Sequence, residues 1–188
     1  NLINASYIVD KVDKKETRRN PLPPFTTSTL QQTAANRFGY SAKMTMSLAQ
    51  KLYEEGHITY HRTDSLNLSA MSLVAAQTFI TSSFGQKYGQ QRHFKAKKGA
   101  REAHEAIRPT YADRTPDSLK AALDPRRLKL YTLIWQRFLA SQMAPAIFDA
   151  TSAEFKALQH TFKATGQILF FDGFLKVYPM KFSEALMP

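Results

Sequence analysis

Apolar positions recur at helical spacing through the middle of the chain and alternate near its two ends. Ser6-Tyr7-Ile8-Val9-Asp10-Lys11-Val12 predicts a strand, followed by a charged stretch through Arg18 and Arg19. Asn20-Pro21-Leu22-Pro23-Pro24 cannot continue it, because proline lacks the backbone donor, and predicts a stiff connector between two domains. Thr26-Thr27-Ser28-Thr29 then offers N-cap hydroxyls, with Ser28 and Gln31 spaced as a capping box. Leu30, Ala34 and Phe38 form one stripe of a first helix, which Gly39 ends in a left-handed conformation. Ser41 is the expected cap of a second helix, with Met44, Leu48 and Leu52 inward and Gly56 at its end.

His57-Ile58-Thr59-Tyr60-His61-Arg62 is β-branched and aromatic, which predicts a strand. Helix, short turn, helix and strand is the order of a winged helix-turn-helix. Ser69 caps an expected third helix, with Leu68 and Leu73 as a hydrophobic staple and Leu73, Ala76, Ile80 and Phe84 as its buried stripe. Thr115-Pro116 and Asp124-Pro125 each pair an N-cap with proline at the first helical position. The second opens a long helix to about Met143, buried by Leu128, Tyr131, Trp135, Phe138 and Leu139 and stopped by Pro145. From Ile147 to Tyr178 strands return, with breaks expected at Gly166 and Asp172-Gly173. There is no internal repeat. The expected class is α+β.

Composition narrows the function. With 43% apolar and 22% charged residues among 188, the chain is globular in character. Its 26 Lys+Arg against 15 Asp+Glu leave a net +11, which favours a polyanionic partner such as nucleic acid. The absence of cysteine excludes disulfide scaffolds, thiolate zinc sites and cysteine nucleophiles, and fits a reducing cytoplasm. No apolar run has the length of a membrane span. A first residue of Asn1 rather than Met is expected of a piece of a longer polypeptide. Between Gln86 and Arg101 lie Lys87, Arg92, Lys95, Lys97, Lys98 and Arg101 with no acid, a basic loop that is either merely solvated or a phosphate contact.

Two short stretches carry candidate chemistry. If Gly56 to Ser65 is a strand, Ile58, Tyr60, Arg62 and Asp64 share one face. That sets a phenol beside a guanidinium, with a carboxylate beyond to orient it. A free tyrosine, with pKa near 10, is phenolate in about one molecule in a thousand at neutral pH. A neighbouring cation favours the phenolate and also grips phosphate, so tyrosine with arginine is a minimal kit for attack on a phosphodiester. A structural tyrosine with an arginine extended beside it is the plainer alternative. In Glu102-Ala-His104-Glu105-Ala-Ile-Arg108-Pro109-Thr110, no second histidine follows four places after His104, which excludes a zincin helix. His104 could hydrogen-bond a phosphate or stabilise it when charged; a structural histidine is the alternative. His57 and His61, on a strand, would not converge on a metal. No metal ligand is assigned: no aspartate or glutamate forms the clustered pair of a Mg²⁺ site, and no glycine-rich phosphate loop points to ATP.

PPFTTSTLQQTAANRFGYSAKMTMSLAQKLYEEGHITYHRTDS, EAHEAIRPT and GQILFFDGFLKVY together resemble the central part of the bacterial type IA topoisomerases, over essentially the whole chain. The form AHEAIRPT is closer to topoisomerase I than to topoisomerase III. The resemblance implies that Tyr60 cleaves one DNA strand and stays joined to a 5′-phosphoryl end. Arg62 would bind the scissile phosphate, His104 would assist, and Asp64 and Arg108 would lie against the DNA. The helix beginning near Ser41 would present its N-terminus, with Ala42 and Lys43, to the backbone, where free N–H groups attract phosphate. Many bacterial members have Met where this chain has His61; the strand expectation puts it on the face opposite Tyr60, so no chemistry is attached to it.

The same resemblance implies a helical, winged-helix-like (CAP-like) domain over residues 20–146 and parts of a β-rich arch at 1–19 and 147–188. The family's Mg²⁺ ligands and a catalytic glutamate belong to a Toprim domain that this chain lacks. Mg²⁺ is therefore expected in the parent enzyme and none on this chain alone, which would not relax DNA by itself. Expected partners are single-stranded and underwound DNA and the parent's remaining domains, with no membrane, for a monomer in the cytoplasm at the nucleoid. Two alternatives stand beside this: a winged-helix module that binds duplex without chemistry, and a tyrosine recombinase or type IB enzyme. The last fits poorly, since it wants His-x-x-Arg and three residues separate His104 from Arg108.

Overall fold

The computed structural model describes Leu2 and residues 5–94 and 104–180. Lys95, Lys97, Lys98, Arg101 and Glu102 of the basic loop and the histidine motif lie outside the described residues. The chain divides into two compact units, Pro21–Ala144 and Asn1–Asn20 with Pro145–Pro188. Its class is α+β: among the described residues, four α-helices and a three-stranded antiparallel sheet.

In the first unit, α1 (Thr27–Phe38) and α2 (Ala42–Glu54) follow one another across a short connection. The cap of α1 sits earlier than expected. Thr26 and Thr29, not Ser28 and Gln31, make the reciprocal box, with Thr26 N–H donating to Thr29 Oγ1 at 2.9 Å. Phe25 fixes this register: it is fully buried, bridges Ile107, and precedes the cap by one residue as Leu30 follows it by four, the staple spacing. Gly39, at φ 69°, closes α1 in the left-handed conformation. Ser41 accepts from Met44 N–H and opens α2. The inner face of α2 is Thr45, Ala49 and Leu52; Met44 and Leu48, expected inward, are half-buried because the face is rotated by one position.

Helix α3 (Ala70–Phe84), capped by Ser69, buries Leu73, Ala76 and Ile80. The long α4 (Pro125–Ser141) is the spine of this unit. Asp124 Oδ1 accepts from Arg126 and Arg127 N–H, and Pro125 supplies a residue that needs no donor there. Leu130, Leu133, Ile134, Phe138 and Leu139 are buried along α4, whereas Leu128, one turn from its start, is half-buried. Two polar aromatic atoms are satisfied by the same nearby loop: Tyr131 Oη donates to Arg114 O at 2.6 Å and Trp135 Nε1 to Ala112 O at 2.9 Å.

In the second unit, β1 (Ile8–Arg19), β2 (Ala146–Ala157) and β3 (His160–Phe171) pair in that order. The charged stretch after Val12 is thus part of the strand and not its sequel. As an edge, β1 carries ion pairs along its length, Lys11–Asp13 at 2.7 Å, Arg18–Glu16 at 2.8 Å and Lys156–Asp10 at 2.9 Å, and such charge discourages stray pairing. Gly166 does not separate strands: it lies inside β3 opposite Thr151. The reversal falls at Leu158, φ 52° and 72% exposed, where neither Leu nor Gln159 carries a turn signal.

Candidate active site

The segment from His57 to Leu68 is not a strand. Among the described residues its only ladder contact is a single bridge, Ile58 with Pro109. Hydroxyl groups hold it instead. Gly56, at φ 72°, reverses the chain after α2, and Thr59 N–H then donates to Arg108 O at 2.9 Å. Thr59 Oγ1 donates to Ala106 O at 2.8 Å and accepts from Arg108 N–H at 3.0 Å. On the other side, Thr27 Oγ1 donates to His61 O at 2.8 Å and accepts from Thr63 N–H at 2.9 Å. Thr27 N–H, at the start of α1, donates to Thr63 O at 2.8 Å. Extended β-branched residues form a strand only where a partner edge exists. Here the first turn of α1 takes the carbonyls that such an edge would have used.

Tyr60 is therefore pinned at both shoulders while its side chain is free to meet solvent, at 47% exposure. Its hydroxyl has no hydrogen bond to a described residue. The ring stands edge-on to Tyr53 at 5.3 Å between centroids and to His61 at 5.3 Å. The contact with His61 corrects the expectation that these two side chains face opposite ways, which held only for a strand. His61 is 3% exposed, and burial pushes its imidazole below the ordinary histidine range; Arg62 adds to the shift and Glu54 opposes it.

A cleft of about 560 Å³ is lined by Thr27, Ser28, Gln31, Arg62, Thr63, Asp64 and His104. Arg62, Asp64 and His104 thus line one cleft, and Tyr60, two residues before Arg62, is not in its lining. Arg62 and Asp64 make no ion pair with each other, so the orienting role expected of Asp64 has no counterpart in this geometry. Ala42 and Lys43 are elsewhere, exposed in the first turn of α2; Lys43 lines a separate cleft with Ser41, Met44, Ser47, Leu48 and Arg126. Thr27, Ser28 and Gln31 escaped the sequence reading as site residues. Their signal was the hydroxyl run at the helix start, which serves both as cap and as lining.

Arg108 is turned inward. It donates to both oxygens of Glu105, at 3.3 and 2.7 Å, and to Pro109 O and Thr110 O. Glu105 Oε1 also accepts from Ser69 N–H at 2.6 Å, joining the histidine motif to the start of α3. Burial alone would raise the Glu105 carboxyl, but the bonds from Arg108 and Ser69 outweigh it and hold it below the ordinary range. A carboxylate held so stabilises the fold above its ordinary pKa, and the contribution is lost as pH falls through the depressed value. Replacing Arg108 by Ala strands this carboxylate, and thermal melting is expected to show a loss of about 1.5–3 kcal/mol, the scale of charge-assisted bonds.

The exposed Tyr60 and a cleft lined by Arg62, Asp64 and His104 belong to an α+β chain of net +11. Comparison with known proteins gives the family. The DNA topoisomerase family model matches residues 1–187, so the chain belongs to that family, in its bacterial type IA topoisomerase I branch, whose members are isomerases. A relative named DNA topoisomerase 1 from Haemophilus influenzae is 47% identical over 177 residues, 93% of this chain and 20% of the relative. One of the same name from Vibrio cholerae is 48% identical over 178 residues, 94% of this chain and 20% of the relative. The structure of full-length topoisomerase I from Thermotoga maritima matches with a TM-score of 0.87 at 36% identity, covering 100% of this chain and 32% of that one. The chain spans about a fifth of the length of the curated relatives it matches.

Proposed function

We propose that this chain is the tyrosine-bearing portion of an enzyme that relaxes negatively supercoiled DNA by transient single-strand cleavage. Tyr60 Oη attacks the phosphorus of one phosphodiester and loses its proton. The bond from phosphorus to the 3′-oxygen breaks, and that oxygen leaves as a 3′-hydroxyl. The 5′-phosphoryl end stays on the tyrosine, and reversal of the step reseals the strand after another has passed. The ester stores the bond energy, so ATP is not needed.

Arg62 takes the non-bridging oxygens through paired guanidinium N–H groups. Its cleft partner His104 offers an imidazole to the phosphate, and Asp64 borders the path of the strand. Thr27, Ser28 and Gln31 add neutral donors at the start of α1. Arg108 acts by holding the His104 motif in place, its guanidinium being occupied by Glu105 and two carbonyls. Ala42 and Lys43 meet the DNA backbone further along, in the cleft shared with Arg126. Mg²⁺ serves the parent enzyme through acids of the Toprim region; among the described residues, no three His, Asp or Glu side chains group to hold a metal ion.

In this proposal residues 20–146 are the helical, winged-helix-like domain, and 1–19 with 147–188 belong to the β-rich arch. The chain alone is inactive in relaxation; the enzyme works as a monomer at the nucleoid of the cytoplasm, on single-stranded and underwound DNA.

The single observation that carries the proposal is Tyr60: half exposed, held between neighbours whose backbone groups are hydrogen-bonded, and two residues before the Arg62 that lines a cleft with His104. The test is to incubate the full-length enzyme with Mg²⁺ and end-labelled single-stranded DNA, denature, and map the linkage. Attachment of Tyr60 to a 5′-phosphoryl end is expected; a 3′-linked ester, or a different residue, would overturn it.

A further inference from the structure

His61 is buried, titratable and in contact with the proposed nucleophile. Both its ring nitrogens are buried and lack a hydrogen-bond partner among the described residues. Neutral imidazole carries one N–H donor and one acceptor, so burying both unpaired is costly, and such groups call for a functional explanation. The ring is the third side of a closed triangle: 5.3 Å from Tyr60, 5.8 Å from Tyr53, with Tyr53 and Tyr60 themselves 5.3 Å apart. Tyr53 is anchored near the end of α2, and Thr27 holds the His61 carbonyl from α1.

We propose that His61, as a neutral imidazole, is a positioning residue for Tyr60, holding the phenol ring between itself and Tyr53 so that the hydroxyl is presented to the phosphate. This rests on the assignment of Tyr60 as nucleophile. Because the backbone on either side is tied, a charged imidazole can reach water only by swinging out of the triangle, which frees the Tyr60 ring. The charged groups that act on it are Arg62, next in the chain, which opposes protonation, and Glu54 of α2, which favours it. Burial outweighs Glu54, so the closed arrangement binds the proton more weakly than the open one. The sign follows: closure is at full strength above about pH 6.5 and weakens as pH falls below it.

The experiment compares the wild-type full-length enzyme with His61→Met, an apolar replacement of similar bulk, by the initial rate of Tyr60–DNA adduct formation from pH 5 to 8. The ratio of wild-type to variant rate is expected to fall as pH is lowered from 8 to 5, because only wild type carries an imidazole at this position. Superimposable pH profiles would overturn the inference. A second measurement needs no variant: ring NMR of this chain should show His61 titrating below the ordinary range, with the Tyr60 ring signals moving at the same midpoint. Tyr60 signals indifferent to that protonation would overturn it. If wild type forms its adduct at another residue, the nucleophile assignment fails, and the NMR titration still decides whether His61 holds the Tyr60 ring.

Discussion

Tyr60→Phe is expected to abolish covalent attachment to DNA while leaving the fold and DNA affinity intact. Phenylalanine offers no oxygen, so the loss of the phosphotyrosine intermediate is complete, with relaxation falling below detection. The hydroxyl bonds to no described residue, and the ring can keep its edge contacts with Tyr53 and His61, so melting should change by less than about 0.5 kcal/mol. Denaturing gels that resolve protein–DNA adducts check the first outcome, and thermal unfolding with single-strand binding checks the second. Tyr53 is the natural control, being 42% exposed and within ring contact. An adduct that survived in Tyr60→Phe and vanished in Tyr53→Phe would move the nucleophile one helix end away.

Arg62→Ala is expected to slow cleavage by roughly 10- to 150-fold, the equivalent of about 1.5–3 kcal/mol for a charge-assisted contact made in the transition state. Arg62 is exposed in the cleft with Thr63, Asp64 and His104 and makes no hydrogen bond or ion pair with a described residue, so stability should not follow activity down. Lysine at this place restores charge but not the paired N–H fork, and is expected to recover only part of the rate. Single-turnover cleavage of labelled DNA separates this from weaker binding. Equal rates for Arg62→Ala and wild type would remove Arg62 from the phosphate.

Much of the helical unit was legible because its signals are local. Gly39, Ser41, Ser69 and Asp124-Pro125 mark real ends, since a cap depends on a few neighbouring backbone groups. The errors have a common origin in partners that lie far along the chain. His57 to Arg62 has the composition of a strand, yet strand formation needs an edge, and Thr27 and Ala106 to Thr110 claim its backbone groups instead. The false strand in turn put His61 on the wrong side of Tyr60. The extension of β1 past Val12 to Arg19 reflects seven more residues of β2 able to pair, Ser152 to Ala146, not any apolar alternation of its own; the register runs from Ile8↔Lys156 to Arg19↔Ala146. Leu158 turns the hairpin because the ladder on both sides demands it. Arg62, Asp64 and His104 stood out in the sequence as candidates, whereas Thr27, Ser28 and Gln31, which line the same cleft, looked only like a helix cap.

The pairing of Arg19 with Ala146 has a kinetic consequence. These two positions are separated in sequence by the entire helical unit, so joining β1 to β2 closes a very large loop, while the β2–β3 hairpin closes a tight one. Loop entropy rises with length, and a collapsed intervening segment shortens the effective gap. Order of assembly is thereby written into the topology: hairpin and helices can organise independently, and the outer strand is added last, once the helices between its residues and their partners have brought the two tethers within reach.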